Sequence, residues 1–483
     1  MKKRPPNVIL VTADHLRYDT LGCNGDPVIQ TPGIDRLAAQ GQCFENFFVQ
    51  NPVCQPSRAT LMTGRYPRHH NVRWNGSRLP EHEVTLPEFF KQQGYTTACV
   101  GKHHIAQQRF LDALDHLEAG GLRRNWKERT DGDYTVREPN AFEQYVRARG
   151  YEYRTGYALP QFRERLGAVP SELPEDCHLD AYTGMKAREY VEGLDGESPF
   201  FLWFGFYGPH HPYVPSGRFA TMYDPAHVPA FHRSESDIPT KPPEYALYFA
   251  TESHKYRGFD QACDRTFREM KAAYYGMVSQ LDHQIGLLLE LLEQRRLAQN
   301  TIVAFTSDHG EFLGDHGIPA KAPFLLDCML HVPLLLRGPG VPAGQRPREL
   351  AEAVDVVPTL LGLCGLQIPE SAQGRDLSGR SADGQREPRR AVYAEAVDKK
   401  CIRSNEWKYI HYPAKQHGEL YRLSSDPYEL ENLYAERPET VAQMKQELCA
   451  LLDATEDFKH PCYQRFSGRH PATGDELTHY HTW

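Results

Sequence analysis

No apolar run in this 483-residue chain approaches the roughly 20 residues that a membrane-crossing helix needs. There is no internal repeat. Charge of one sign is also lacking: a formal net charge of −8 gives no general attraction to nucleic acid or anionic lipid, so any anion must be met by a local cluster of cations. The 11 cysteines are odd in number and scattered, without a Cys-x-x-Cys pair, which fits free thiols in a reducing compartment. The N-terminal basic stretch leads into the apolar run Val8–Val11, too short for a signal-peptide core. The chain therefore reads as cytoplasmic unless a leader has been removed, and without export the glycosylation triplet Asn75-Gly76-Ser77 carries little weight.

What is present is ordinary globular composition, 40% hydrophobic and 24% charged, with length enough for one large domain and a smaller one. Five short apolar runs read as buried parallel strands: Val8–Val11, Thr96–Val100, Phe200–Phe206, Thr301–Thr306 and Val332–Leu336. Helical patterns lie between them at Ile34–Gln40, Leu86–Gln93 and Cys263–Gln294. In the last, Met277, Leu281, Ile285, Leu288 and Leu292 form a core-facing stripe. Strands alternating with helices predict an α/β fold with a large, mainly parallel sheet. Residues 1–370 read as this domain and Ser371–Arg390, rich in glycine, as a linker. Residues 391–483 read as a C-terminal α+β subdomain: strands at Ala391–Ala396, Trp407–Tyr412 and Glu419–Leu423, a helix near Pro438–Ala454, and a polar, aromatic tail Phe466–Trp483.

In such sheets ligands bind beyond the carboxyl ends of the strands. Four runs end there in reactive residues: Asp14-His15, Gly101-Lys102-His103-His104, Gly208-Pro209-His210-His211-Pro212 and Ser307-Asp308-His309-Gly310. Carboxylates at two strand ends can converge on a hard divalent cation. A further stretch, Cys54-Gln55-Pro56-Ser57-Arg58, puts a nucleophile beside a helix start, where free N–H groups and the dipole favour an anion, with Arg58 a turn further on.

This last stretch, running on through Ala59-Thr60-Leu61-Met62-Thr63-Gly64-Arg65, resembles the C-x-P-S-R signature of the type I sulfatases, members of the alkaline phosphatase superfamily. Asp308-His309-Gly310 with Gly314-Asp315-His316-Gly317 resembles that family's D-H-G…G-x-H-G segment. Glu419-Leu420-Tyr421-Arg422-Leu423 through Asn432-Leu433 resembles its late E-L-Y-D-L…N-L segment, with Arg422 in place of Asp. The resemblance runs from Asn7 to about Leu433. It implies that Cys54 is oxidised to formylglycine by a maturation enzyme, and that Asp14, Asp308, His309 and the converted Cys54 hold one divalent metal, calcium in the family's usual form. The hydrated formylglycine would then attack sulfur, a protonated histidine release the alcohol, and the second hydroxyl expel sulfate. Arg58, Lys102 and Lys321 would neutralise the sulfate oxygens. His210 matches the family's P-H-x-P histidine and is a candidate general acid or ligand for the ester oxygen; His104 is its rival. Asn75 is a candidate substrate donor. His103 and His211 have no matching role.

His15 departs from the pattern, in which Asp, Asn or Gln follows the first aspartate. Imidazole suits zinc, manganese or iron better than calcium, so either the ion differs or His15 turns away and acts from behind. The expected activity is hydrolysis of sulfate monoesters. A sulfated carbohydrate or small-molecule ester is the preferred substrate, with no nucleic-acid or membrane partner. Two rivals are a phosphonate monoester or phosphodiester hydrolase and a catalytically silent binding protein. The first is disfavoured by Lys102 and His104, a pair those relatives usually replace. Specificity would lie in two long excursions, about 105–180 and 212–260. There Trp126, Arg129, Tyr134, Arg137, Tyr151 and Tyr153 could stack on a sugar or simply pack.

Overall fold

The computed structural model describes residues 4–119, 140–154, 158–251, 258–379, 387–396 and 398–456. Nine strands lie among the described residues of the first part of the chain: β1 (Asn7–Ala13), β2 (Gln42–Phe44), β3 (Phe47–Phe48), β4 (Thr96–Gly101), β5 (His116–Glu118), β6 (Phe200–Gly205), β7 (Thr301–Ser307), β8 (Leu334–Arg337) and β9 (Ala351–Glu352). Seven of them form one sheet in the order β2-β8-β7-β1-β6-β4-β5. The run from β7 to β5 is parallel, in register Val8↔Ile302 and Val8↔Phe201 across β1. β3 and β9 form a separate short parallel pair.

Successive residues of the central strands enter opposite cores. Val8, Leu10, Phe201, Trp203, Ile302 and Ala304 face the helices Cys54–Thr63, Leu86–Gln92 and Val356–Leu363. Ile9, Val11, Leu202, Phe204, Val303 and Phe305 face the helices Pro32–Ala39, Leu179–Glu192 and Asp264–Gln294. Burial on both faces is why these strands read as unbroken apolar runs. The predicted stripe of the long helix is buried in the second core.

Two strand expectations change. The run Val332–Leu336 becomes β8 and runs antiparallel to β7, pairing Thr306↔Leu334 and Ala304↔Leu336. Lys399–Ser404 is an additional strand, β11, between β10 (Ala391–Ala396) and β12 (Trp407–His411). With β13 (Gly418–Arg422) these make a four-stranded antiparallel sheet. One face of that sheet, with Val392, Ala394, Cys401, Ile410 and Tyr421, joins the first main core. The other, with Tyr393, Ile402, Tyr409 and Leu420, packs on Met444 and Leu448 of the helix Pro438–Ala454. The stretch between the two sheets is pinned where it is described: Gln373 bonds Gly64, Tyr66 and His69, and Arg389 pairs with Asp355 and Glu352. The tail Phe466–Trp483 lies outside the described residues. No described helix is long and apolar enough to cross a membrane.

Candidate active site

Four parallel strands deliver their C-terminal residues to one edge. β1 hands over Asp14, whose backbone N–H donates to the Gly208 carbonyl at 3.0 Å. β4 ends at Gly101, whose φ of +89° and whose closeness to the Gly205 carbonyl leave no room for a Cβ. That turn places Lys102, and its ammonium donates to Asp14 Oδ2. β7 hands over Asp308 and His309, both fully buried.

Cys54 opens the helix Cys54–Thr63, all ten residues of which are buried. The first turn is less open to anions than the sequence suggests. Gln55 N–H is taken by Asn75 Oδ1 at 3.0 Å, Ser57 N–H by the Val53 carbonyl, and Pro56 has none. Asn75 therefore caps the nucleophile's helix through its oxygen. Cations dominate instead. Lys321 Nζ lies 3.0 Å from Cys54 Sγ, and His309 Nε2 3.2 Å from it. Burial pushes the Cys54 thiol up, but Lys321 and Lys102 outweigh it, with help from His309, and hold its pKa well below the ordinary value.

Arg58, one turn on, is wholly buried. Its Nε donates to Asp308 Oδ2 at 2.8 Å and its Nη1 to the Lys102 carbonyl at 2.8 Å. Burial opposes its charge, and Asp308 and Asp14 more than restore it. Asp308 Oδ1 also accepts the backbone N–H groups of His309 and His15, at 2.9 and 3.2 Å. Burial would raise the Asp14 pKa, but Lys102 and the other nearby cationic groups hold it well below the carboxylate range. The atoms that converge on one point come from Asp14, His15, Cys54 and His309, all buried, with one potential ligand atom from each within 4.8 Å of the others. Asp14 Oδ1 is buried with no hydrogen-bond donor, as a metal-facing oxygen would be. Asp308, an expected ligand, is not one of these four, although its Oδ1 lies 4.0 Å from His309 Nε2.

His15 points inward. Its Nδ1 lies 2.8 Å from Glu311 Oε2, so its Nε2 faces the cluster. Glu311 was not singled out in the sequence. It is fully buried, accepts the Tyr213 hydroxyl at 3.1 Å, and burial raises its pKa to about 7. Its position three residues after Asp308, in Asp-His-Gly-Glu, was the available signal. The His210 ring lies tilted against His15, with ring centroids 4.1 Å apart and 44° between the planes. Its Nδ1 meets the His211 carbonyl and its Nε2 lies 3.4 Å from Lys321 Nζ. Burial and then Lys321 lower its pKa to about 3, so without a bound anion it presents a lone pair rather than a proton. His104 adopts a φ of 62°, and its Nδ1 is buried without a partner.

Other residues prove architectural. His103 Nδ1 accepts Ile105 N–H and its ring stacks on Phe110, while His211 Nε2 bonds the Leu166 carbonyl. Tyr274 donates to the His15 carbonyl at 2.7 Å and so fixes the loop after β1. Of the candidate sugar-stacking residues, Tyr153 packs edge-on against Phe142 and Tyr151 is exposed; Trp126, Arg129, Tyr134 and Arg137 lie outside the described residues.

A buried acid, nucleophile and cation cluster thus lies at the carboxyl edge of this sheet. The Sulfatase family profile matches residues 6–366, and the profile described as N-sulphoglucosamine sulphohydrolase, C-terminal, matches residues 314–455. The chain belongs to the sulfatase family and is a sulfatase. It is 28% identical over 467 residues to an arylsulfatase of Clostridium perfringens, covering 89% of this chain and 90% of that one. It is 30% identical to human (Homo sapiens) iduronate 2-sulfatase over 404 residues, covering 75% and 70%. Among solved structures, the phosphonate monoester hydrolase of Agrobacterium radiobacter superposes with a TM-score of 0.80 at 24% identity, covering 95% of this chain and 97% of that one.

Proposed function

We propose that this sulfatase cleaves sulfate monoesters of carbohydrates through a formylglycine made from Cys54, with one divalent ion. The observation that carries the reading is the pair of short contacts on Cys54 Sγ, from Lys321 at 3.0 Å and His309 at 3.2 Å, at the start of a buried helix. A hydrated formylglycine at 54 would supply an oxygen nucleophile, and a divalent ion beside it would favour that oxygen's ionised form. Asp14, His15 and His309 would hold the ion with residue 54, and Asp308 would orient Arg58 and His309. Lys102, Lys321 and Arg58 are the cations that an ester's sulfonate oxygens would meet. Burial and then Lys321 keep His210 neutral; a sulfate group beside Lys321 would offset the second of these, and His210 would then be the residue to carry a proton toward the leaving oxygen. The carbohydrate preference is supported by the likeness to an iduronate 2-sulfatase.

A second reading, phosphonate monoester or phosphodiester hydrolysis, is favoured by the fold shared with the phosphonate monoester hydrolase. Two measurements decide. Peptide mass spectrometry across Cys54, on protein co-expressed with a maturation enzyme, should show the loss that converts a thiol side chain to an aldehyde. Rates on a sulfate and a phosphate ester of one alcohol should favour sulfate. An unmodified thiol would overturn the nucleophile, and a preference for phosphate would overturn the substrate class.

A further inference from the structure

Two imidazoles, built in parallel ways, turn the same ring nitrogen toward the space beside residue 54. His309 donates Nδ1–H to the Gly310 carbonyl at 2.8 Å, so the neutral ring carries its lone pair on Nε2. His15 directs Nδ1 to Glu311 Oε2 at 2.8 Å, and that carboxylate is itself fixed by Tyr213 and by Phe312 N–H at 2.9 Å. The His15 lone pair is thereby also on Nε2, 3.8 Å from Asp14 Oδ1 and 4.0 Å from Cys54 Sγ. The two rings lie 4.3 Å apart, centroid to centroid. A histidine that simply turned away would need none of this. Its backbone sits at a φ of 70°, held there by the His15 N–H bond to Asp308, the Tyr274 bond to its carbonyl, and Leu16 N–H on Ser307 Oγ.

Oxygens are few among the four convergent residues. Asp308, outside that set, accepts Arg58 at Oδ2 and two backbone N–H groups at Oδ1, and Asp14 accepts Lys102 at Oδ2. Asp14 Oδ1 remains, with two nitrogens and one atom of residue 54. Calcium takes about six to eight oxygen ligands, whereas imidazole suits first-row transition ions.

Resting on the metal-dependent reading above, we propose that His15 is a nitrogen ligand and that this site selects a first-row divalent transition ion over calcium. Glu311 is its positioning residue, acting through the ring as a carboxylate behind a metal-bound histidine does.

The test is metal binding by the full chain, stripped with a chelator and carrying Cys54→Ser so that no thiolate captures the ion. Co2+ and Ca2+ are titrated separately by calorimetry, with the visible absorption of Co2+ reporting nitrogen ligation. Co2+ should bind more tightly than Ca2+. His15→Asn, a residue that tolerates the left-handed backbone, should weaken Co2+ by about 10–100-fold, change its spectrum, and leave Ca2+ affinity no worse. Glu311→Gln should weaken Co2+ in the same direction, and it serves as the second variant if His15→Asn folds poorly. Equal affinity for Co2+ and Ca2+ in the parent would overturn the proposal, as would an equal loss of both ions in the variants. Because these readouts are of binding, they stand apart from turnover. A Co2+-selective protein inert on every sulfate ester would count against the proposed function alone.

Discussion

Lys321 is the cation shared by the most reactive groups of the site. It donates to Cys54, lies beside His210, and its own pKa is raised because Cys54 and Asp14 outweigh the burial that opposes its charge. The structure brings it to Cys54 from a loop that follows β7, 267 residues later in the chain. Lys321→Met should lower kcat/KM on a sulfate ester by about 10²–10³-fold, the scale for loss of one preorganised charge donor. The parent's circular dichroism should persist. An unchanged kcat/KM would remove Lys321 from the reaction. The residues that face this lysine were legible because each follows a strand or a motif. Glu311 was signalled only by its place in Asp-His-Gly-Glu, because its bond to His15 depends on the left-handed turn at that residue.

At the level of elements, the long helix Asp264–Gln294 does more than cover the sheet. Asp282 accepts the N–H groups of Gly33 and Ile34, at 3.1 and 2.7 Å, and so caps the helix Pro32–Ala39 from outside. Burial raises the Asp282 carboxyl to about 7 although both N–H groups pull it down. The folded protein thus keeps a proton that the unfolded chain releases near the ordinary value of 3.8. The associated stability is fully present below that value and is lost as pH rises through about 7. Asp282→Asn, which retains one acceptor, should flatten the dependence of unfolding free energy on pH across that window, measured by urea titration at several pH values. A slope equal to the parent's would assign it to other groups.

The same scale explains which elements the sequence disclosed. Runs buried on both faces announce a strand but not its direction, so the antiparallel β8 looked like its parallel neighbours. β11 reads Lys-Lys-Cys-Ile-Arg-Ser, and only Cys401 and Ile402 are apolar, one for each face of the small sheet. The helix Leu179–Glu192 buries Asp180, Thr183 and Gly184 alongside its apolar residues, which blurs its period.

The molecule as a whole is joined by buried charge. Lys408 of β12, with no exposed side-chain surface, meets Asp327 at 2.7 Å and Glu429 at 2.6 Å. Asp327 lies six residues beyond Lys321. Between them Phe324 stacks flat on Tyr245, at 3.6 Å, with the Lys399 ammonium 5.7 Å from its ring centre. The small sheet therefore braces the loop that carries an active-site cation. Lys408→Met would leave the buried Glu429 and the part-buried Asp327 without their shared partner and should cost about 3 kcal/mol, read from denaturant unfolding. A loss within the error of the measurement would mean that Arg403, 3.3 Å from Asp327, carries the junction instead.

The burial of the helix Cys54–Thr63 along its whole length has a consequence for the order of events during synthesis. Its first residue is 1% exposed, and its flanks are locked by Gln55 to the loop at Gly76 and Ser77. No second protein could take hold of that segment in the finished fold. Any enzyme that is to oxidise Cys54 must meet it as a slack chain, before the sheet closes over it. The choice between an active and an inert molecule would then be made once, early in the chain's life. A copy that folded too soon would have to unfold to be given a second chance.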